Sequence, residues 1–375
     1  WLGGDDSYKR TMERNDPDIS GALFSNWGTN NGLIKNGQDA NGSQLSGTPK
    51  ARNSANYLIA KGSPYINGNV ILTKSHSPYL VNNTWQIFQA GSSLTIEPGV
   101  VIKFYNSAGL QTNGLVDARG TAENPIVFTS FADDEYGGDT NHDATSTLPA
   151  QGQWYGIRAQ SGGSAVFDYS IFRYGGKYYT PTPDEDRALV KIQNTDNLII
   201  KNSFFEYSKV NGLVLVNSTS TIENNIFRNN GSFSEGGNGI YISGLSGNYA
   251  IKNNEFADNR IGLNITSNLH SEVLNNIFTG NSEAAVAPAL TNKFSGNSAS
   301  NNGVNGILIS GNLSQVGATS TLTADSIPYV IRNQSYPQVV AGSILIMEPG
   351  VVIKGRSINV YGRLFINGEN PDDVI

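Results

Sequence analysis

Six oxygen-bearing side chains crowd one short stretch: Asp133, Asp134, Glu135, Asp139, Asn141 and Asp143. Asp139-Thr140-Asn141-His142-Asp143 sets candidate ligands at alternate positions, as a calcium loop begins. A hard cation wants several oxygens at about 2.3–2.6 Å, and a loop this acidic repels itself without one. The pattern is partial. Ala144 stands where an EF-hand has its turn glycine, and Ala150 where it has a bidentate glutamate. With Asp133 and Asp134 closing from the other side, Asp133, Asp134, Asp139, Asn141 and Asp143 are the expected calcium ligands. The alternative is a solvated surface loop.

A second insertion, Gly175 to Arg187, carries Tyr178, Tyr179, Asp184, Glu185 and Asp186. Rings beside carboxylates suit sugars, so Tyr178 and Tyr179 are the expected glycan contacts. Glycoside hydrolysis needs two carboxyl groups about 5–9.5 Å apart. On an enzyme reading Asp134, Asp184, Asp186, Arg158 and Arg187 are the catalytic candidates, with Lys177 and Arg173 as further basic groups. On a non-catalytic reading none of them reacts. His76, His142 and His270 stand in no metal or triad spacing, and with no Cys a thiol nucleophile is excluded. Glu97-Pro98-Gly99 and Glu348-Pro349-Gly350 read as turns, Pro fixing φ and Gly permitting the reversal.

These loops need a frame. Charged residues make up only 15% of the 375, while 42 are Gly, a mix that suits short strands joined by tight turns. The net charge of -6 with no basic stripe argues against a nucleic-acid partner. No apolar run approaches 18 residues, so no membrane-spanning helix is expected. The absence of Cys fits an exported protein that does without disulfides.

The frame is written as repeats. Asn202-Ser203-Phe204-Phe205, Asn224-Asn225-Ile226-Phe227, Asn253-Asn254-Glu255-Phe256 and Asn275-Asn276-Ile277-Phe278 recur every 22 to 29 residues. Three residues past each Phe comes Ser208, Asn230, Asn259 or Asn281. A second register follows, as in Gly212-Leu213-Val214-Leu215 and Gly239-Ile240-Tyr241-Ile242. A fixed period without helical pattern marks a parallel β-solenoid, its coils stacked about 4.8 Å apart. Phe then stacks on Phe inside, and Asn forms ladders at a turn. An open β-sandwich is the alternative, disfavoured by four copies with one set of offsets.

The chain also says one longer phrase twice. Pro78 to Val81 and Ala90 to Lys103 answer Pro328 to Ile331 and Ala341 to Lys354, 250 or 251 residues later. The second copy stops soon after Glu369-Asn370-Pro371, which suggests a piece of a longer modular protein.

Leu94 to Phe104, Gly120 to Ser130, the acidic Asp133 to Asp143 and Trp154 to Ile157 resemble right-handed parallel β-helix proteins of the pectin-lyase-like superfamily. The bacterial surface type is the nearest in texture. The resemblance covers roughly residues 64–312 and restarts near 328. Residues 1–53, with Gly3 to Ser7, Ser25-Asn26-Trp27 and Gly47 to Ser54, resemble the C-terminal part of a lamin-tail-like β-sandwich domain. A cap or linker is the alternative there.

Three units are therefore expected: 1–53, a β-helix over 54–312, and the start of a second module over 313–375. The fold class is all-β, a parallel β-helix with a short β-sandwich remnant or cap. The resemblance implies an extracellular or bacterial cell-surface setting, neighbouring modules of the same chain as partners, and a cell-surface glycan or polysaccharide as ligand. Related lyases pair an acidic calcium site with an Arg or Lys base, so fold alone does not decide activity. The preferred expectation is a non-catalytic spacer or adhesin with a calcium-stabilised loop. The alternative is a polysaccharide lyase or glycoside hydrolase with its site between 133–143 and 175–187.

Overall fold

Strands of two to six residues bury too little to stand alone, so each finds its partner one circuit of the chain away. Phe172 lies opposite Phe205, Phe205 opposite Phe227, Phe227 opposite Phe256 and Phe256 opposite Phe278, all in parallel register. The computed structural model describes residues 9–14, 20–22, 27–29, 37–45, 47, 57–59, 64–141, 143, 145–160, 162–178, 187–196, 198–231, 236–245, 247–266, 270–287, 293–309, 311–332 and 336–368.

Three parallel sheets wall the coil over these residues. The first wall has twelve strands, from Tyr65–Ile66 to Ile353–Lys354. The second has nine, from Asn69–Leu72 to Lys293–Ser295, and the third ten, from Tyr57–Leu58 to Ser298–Ser300. The chain visits them in that order on every circuit. Alternation sends one side chain in and the next out.

Inside, the rings of Phe128, Phe172, Phe205, Phe227, Phe256 and Phe278 form one file with centroids 4.8 to 5.2 Å apart and nearly parallel planes. Each is buried, which removes on the order of 150–250 Å² per ring from water. The turn out of the second wall needs a left-handed residue, and Asn202, Asn224, Asn253 and Asn275 supply it at φ of 49 to 58°. Asn tolerates that conformation better than other non-glycine residues.

The residue after each of these turns builds a ladder. Asn225, Asn254 and Asn276 each donate backbone N–H and side-chain Nδ2 to the Oδ1 of the next Asn, at 2.9 to 3.1 Å. Ser203 begins the row and Asn297 ends it on Asp325. A second ladder, Ser208–Asn230–Asn259–Asn281–Asn302, runs at the next corner.

At residue 313 the first wall does not stop. Ile307–Ile309 pairs with Tyr329–Ile331, and that strand with Ile353–Lys354. The second and third walls end at Lys293–Ser295 and Ser298–Ser300, and two new sheets take their place. One joins Thr319–Leu322, Ile344–Met347 and Arg363–Ile366; the other joins Gln338–Val339 and Asn359–Val360. Tyr79–Val81 sits in the third wall, but its counterpart Tyr329–Ile331 sits in the first. The second copy thus stacks on the first displaced by one wall.

At the front, Met12–Arg14 pairs antiparallel with Trp27–Thr29. Gly3 to Ser7 and Thr48 to Ser54, two of the segments that suggested a β-sandwich, lie outside the described residues.

Candidate functional site

The acidic loop, residues 131–153, leaves the third wall after Ile126–Ser130 and returns to the first at Gly156–Ala159. It lies against the outer face of the third wall, where polar side chains stand in one row. Lys103 neighbours Thr129, Arg173 neighbours Glu206, and Glu206 neighbours Arg228.

Arg173 is the anchor. Its Nη1 donates to Glu135 Oε2 at 2.6 Å, its Nε lies 3.3 Å from Glu206 Oε1 and 3.8 Å from Asp133 Oδ2, and its Nη2 donates to the Tyr174 hydroxyl at 2.9 Å. The Tyr136 and Tyr174 rings lie 5.3 and 4.7 Å from the guanidinium carbon. Arg228 binds the second oxygen of Glu206 at 2.6 Å. Burial works against the Arg173 charge, but the hydrogen bond to Glu135 and the Asp133 charge outweigh it, so the proton is held more tightly than usual. A cation held in this way is a poor general base.

Lys103 is buried, and its Nζ donates to the Gly138 carbonyl at 2.5 Å. Burial pulls this ammonium down to about 8, against the opposing pull of Asp133, Asp134 and Asp139. Farther out, Gln151 Nε2 donates to the Asn229 carbonyl at 2.9 Å. The loop therefore touches rungs from Lys103 to Asn229.

Within it, oxygens of Asp134, Asp139 and Asp143 lie within 4.8 Å of one another. Oxygens bound at about 2.3–2.6 Å to one ion stand no more than about 5 Å apart, so the three fit a single cation. Asn141 adjoins them, its Nδ2 donating to Asp143 Oδ2 at 3.0 Å. Asp134 Oδ1, Asn141 Oδ1 and Asp143 Oδ1 are screened from solvent and accept no hydrogen bond. Such atoms normally have a partner. Burial and then the Asp139 charge push the Asp134 carboxyl upward.

Asp133 does not join this group. Its Oδ2 accepts from Thr129 Oγ1 at 2.5 Å and its Oδ1 from the Glu135 N–H at 3.2 Å, so the expected ligand is an anchor instead. Arg173 and Lys103 draw it toward the wall. His142 and Ala144 lie outside the described residues.

Of the enzyme candidates, Asp134, Arg158 and Arg187 lie among the described residues. The charges that act most on Asp134 are Asp139, Lys103, Asp143 and Asp133. Arg158 lies 4.3 Å over the Trp85 ring, which stacks on Tyr155 at 5.5 Å. Arg187 lies 4.7 Å over the Tyr178 ring, and Lys177 Nζ donates to Asn106 Oδ1 at 2.5 Å. Tyr178 is half exposed, whereas Tyr179, Asp184, Glu185 and Asp186 lie outside the described residues. The sequence reading missed Lys103, Thr129 and Glu206, whose only signal is their shared register across coils of unequal length.

Among the described residues no helix is long and apolar enough to cross a membrane. The family described as the right handed beta helix region matches residues 141–287 and 188–327. Protein bark beetle of Drosophila melanogaster is 30% identical over 151 residues, 36% of this chain and 5% of that protein. The chain thus spans about one-twentieth of that curated relative. A crystal structure of a mutant periplasmic alginate epimerase, AlgG, aligns over 80% of this chain and 84% of its own, at TM-score 0.30 and 14% identity. The three-walled parallel register and the family match agree: the chain is a right-handed parallel β-helix.

Proposed function

We propose that the chain is a non-catalytic β-helix module of a secreted or cell-surface protein, a stiff spacer or adhesin whose acidic loop is fastened by calcium. The observation that carries the reading is where the ionisable groups are spent. Arg173, Glu206, Asp133 and Glu135 satisfy one another, Arg158 and Arg187 sit over the Trp85 and Tyr178 rings, and Lys177 binds the Asn106 amide. A solenoid suits a spacer because each coil needs only its neighbours.

Calcium fits the three oxygens without partners, and Asp134, Asp139, Asn141 and Asp143 would hold it. Bound to the folded form alone, an ion at a hundred times its Kd adds about 2.7 kcal/mol. Chelation with EDTA is therefore expected to lower the melting temperature by several degrees, calcium to restore it, and Asp143→Asn to abolish the response. An unchanged melting curve under EDTA would remove the metal from the reading. Incubation with a panel of neutral and uronate polysaccharides is expected to release neither unsaturated products nor new reducing ends. Products that vanish in Asp134→Ala would establish the enzyme instead.

A further inference from the structure

Where the chain leaves the third wall, one position recurs on six successive coils, just past the paired strand: Tyr174, Tyr207, Asn229, Asp258, Gly280 and Asn301. All six hold φ between 55 and 66°. Gly, Asn and Asp accept this left-handed backbone, whereas a tyrosine there is strained. Two coils in a row nevertheless carry one. The Tyr174 and Tyr207 rings lie stacked, their centroids 5.4 Å apart and their planes 14° from parallel. Arg173 holds the pair: its Nη2 donates to the Tyr174 hydroxyl at 2.9 Å, and its guanidinium carbon lies 4.7 and 5.8 Å from the two ring centroids. Both tyrosines are half-buried, so part of each faces solvent.

We infer that Tyr174 and Tyr207 are a cross-linking site, placed to join by oxidative coupling into a dityrosine that ties one coil to the next. Packing on Arg173 asks only for ring faces, which phenylalanine also offers, yet both positions carry phenols. Tyr105 stacks on Phe131 and Tyr155 on Trp85, whereas Tyr174 meets a second tyrosine. Stacked side chains on adjacent rungs bring like ring atoms face to face, and tilting the rings about their side-chain torsions closes the gap. The oxidant is hydrogen peroxide acting through a peroxidase. It takes one electron and one proton from each phenol, which leaves two phenoxyl radicals and turns the peroxide into two waters. The radicals form a carbon–carbon bond between positions ortho to the oxygens. The joined carbons then lose their hydrogens as protons while the oxygens regain theirs, and both rings become phenols again. With no Cys in the chain, a disulfide cannot do this task.

The sequence makes the test unambiguous. Cleavage after Lys and Arg frees Tyr174 to Lys177 and Asn202 to Lys209, each with a single tyrosine. The full chain, dilute and folded, is treated with peroxidase and hydrogen peroxide, and its monomer fraction is digested and weighed by mass spectrometry. The two peptides are expected as one species, lighter than their sum by two hydrogens. Geometry, rather than mere reactivity, is the claim, so the same oxidation in urea is expected to give less of this species by on the order of tenfold. Tyr207→Phe, which keeps the ring and its stacking, is expected to remove most of the dityrosine fluorescence of the oxidised monomer. The inference is overturned if the linked peptide is absent, if urea leaves its yield unchanged, or if Tyr207→Phe fluoresces like wild type. None of these outcomes touches the spacer reading or its calcium, which are tested by glycan products and chelation.

Discussion

Lys103 shows how one residue records the cost of fixing a loop to a wall. Its ammonium is enclosed, donating to the Gly138 carbonyl, with three carboxylates close enough to act on it. Folded Lys103 gives up its proton near 8, and the unfolded side chain near its ordinary 10.5. Between those values the unfolded chain holds more protons, so stability rises with pH. The penalty is complete below about pH 8 and relieved by about 10.5. Lys103→Met removes this dependence while keeping a long side chain in the space. In EDTA, urea midpoints of wild type and variant between pH 7 and 10.5 are expected to change their separation, wild type gaining on the variant as pH rises. Tyr329, pushed up to about 12 mainly by burial, is common to both and cancels. A separation constant across that range would show that Lys103 is not titrating as an enclosed group.

At the scale of elements, the loop acts as a staple. Ordinary coils in a solenoid are coupled only to their neighbours. Residues 131–153 depart from this, because Lys103, Arg173 and Asn229, on separated rungs, all bind the same loop. Removing the Arg173 charge leaves buried Asp133 without its guanidinium and Glu206 with Arg228 alone, a loss of about 3–5 kcal/mol for a broken buried pair. Arg173→Met is expected to lower stability by that order and to speed hydrogen exchange together at 131–153, 170–173, 204–206 and 226–228. Exchange at 261–309 should stay as in wild type. Acceleration confined to the loop would mean that it rests on the wall without fastening it. The coils themselves were legible in the sequence, since Phe205, Phe227, Phe256 and Phe278 keep one offset from Asn202, Asn224, Asn253 and Asn275. The staple was not. Thr129, Arg173 and Glu206 meet only after coils of unequal length are laid in register, and the two faces of Asp133 and Asp134 look alike in a run of acids.

For the whole molecule, the question is how two copies of one phrase become a single coil. The repeat alone suggested a fresh start after 312, yet the first wall crosses that point unbroken while the other two are replaced. The Asn ladder shows how the joint is closed. Every amide from Asn225 to Asn276 donates toward the next rung, so the row ends at Asn297 with two donors pointing onward. An acceptor is needed there, and Asp325 provides it, taking the Asn297 N–H at 3.0 Å and Nδ2 at 2.6 Å. Bonds to a charged acceptor are worth about 1.5–3 kcal/mol each. Ser326 Oγ and Thr323 Oγ1 add contacts from the same turn to Asn297 and Phe294. Asp325→Ala is therefore expected to loosen the second stack from the first, so that urea unfolding splits into two transitions. The earlier one should belong to residues 319–366, followed by hydrogen exchange, and the later one should keep the wild-type midpoint. Asp325→Asn, which retains the acceptor but not the charge, should fall between. A single transition displaced as a whole would mean that the shared first wall, rather than the capped ladder, holds the copies together.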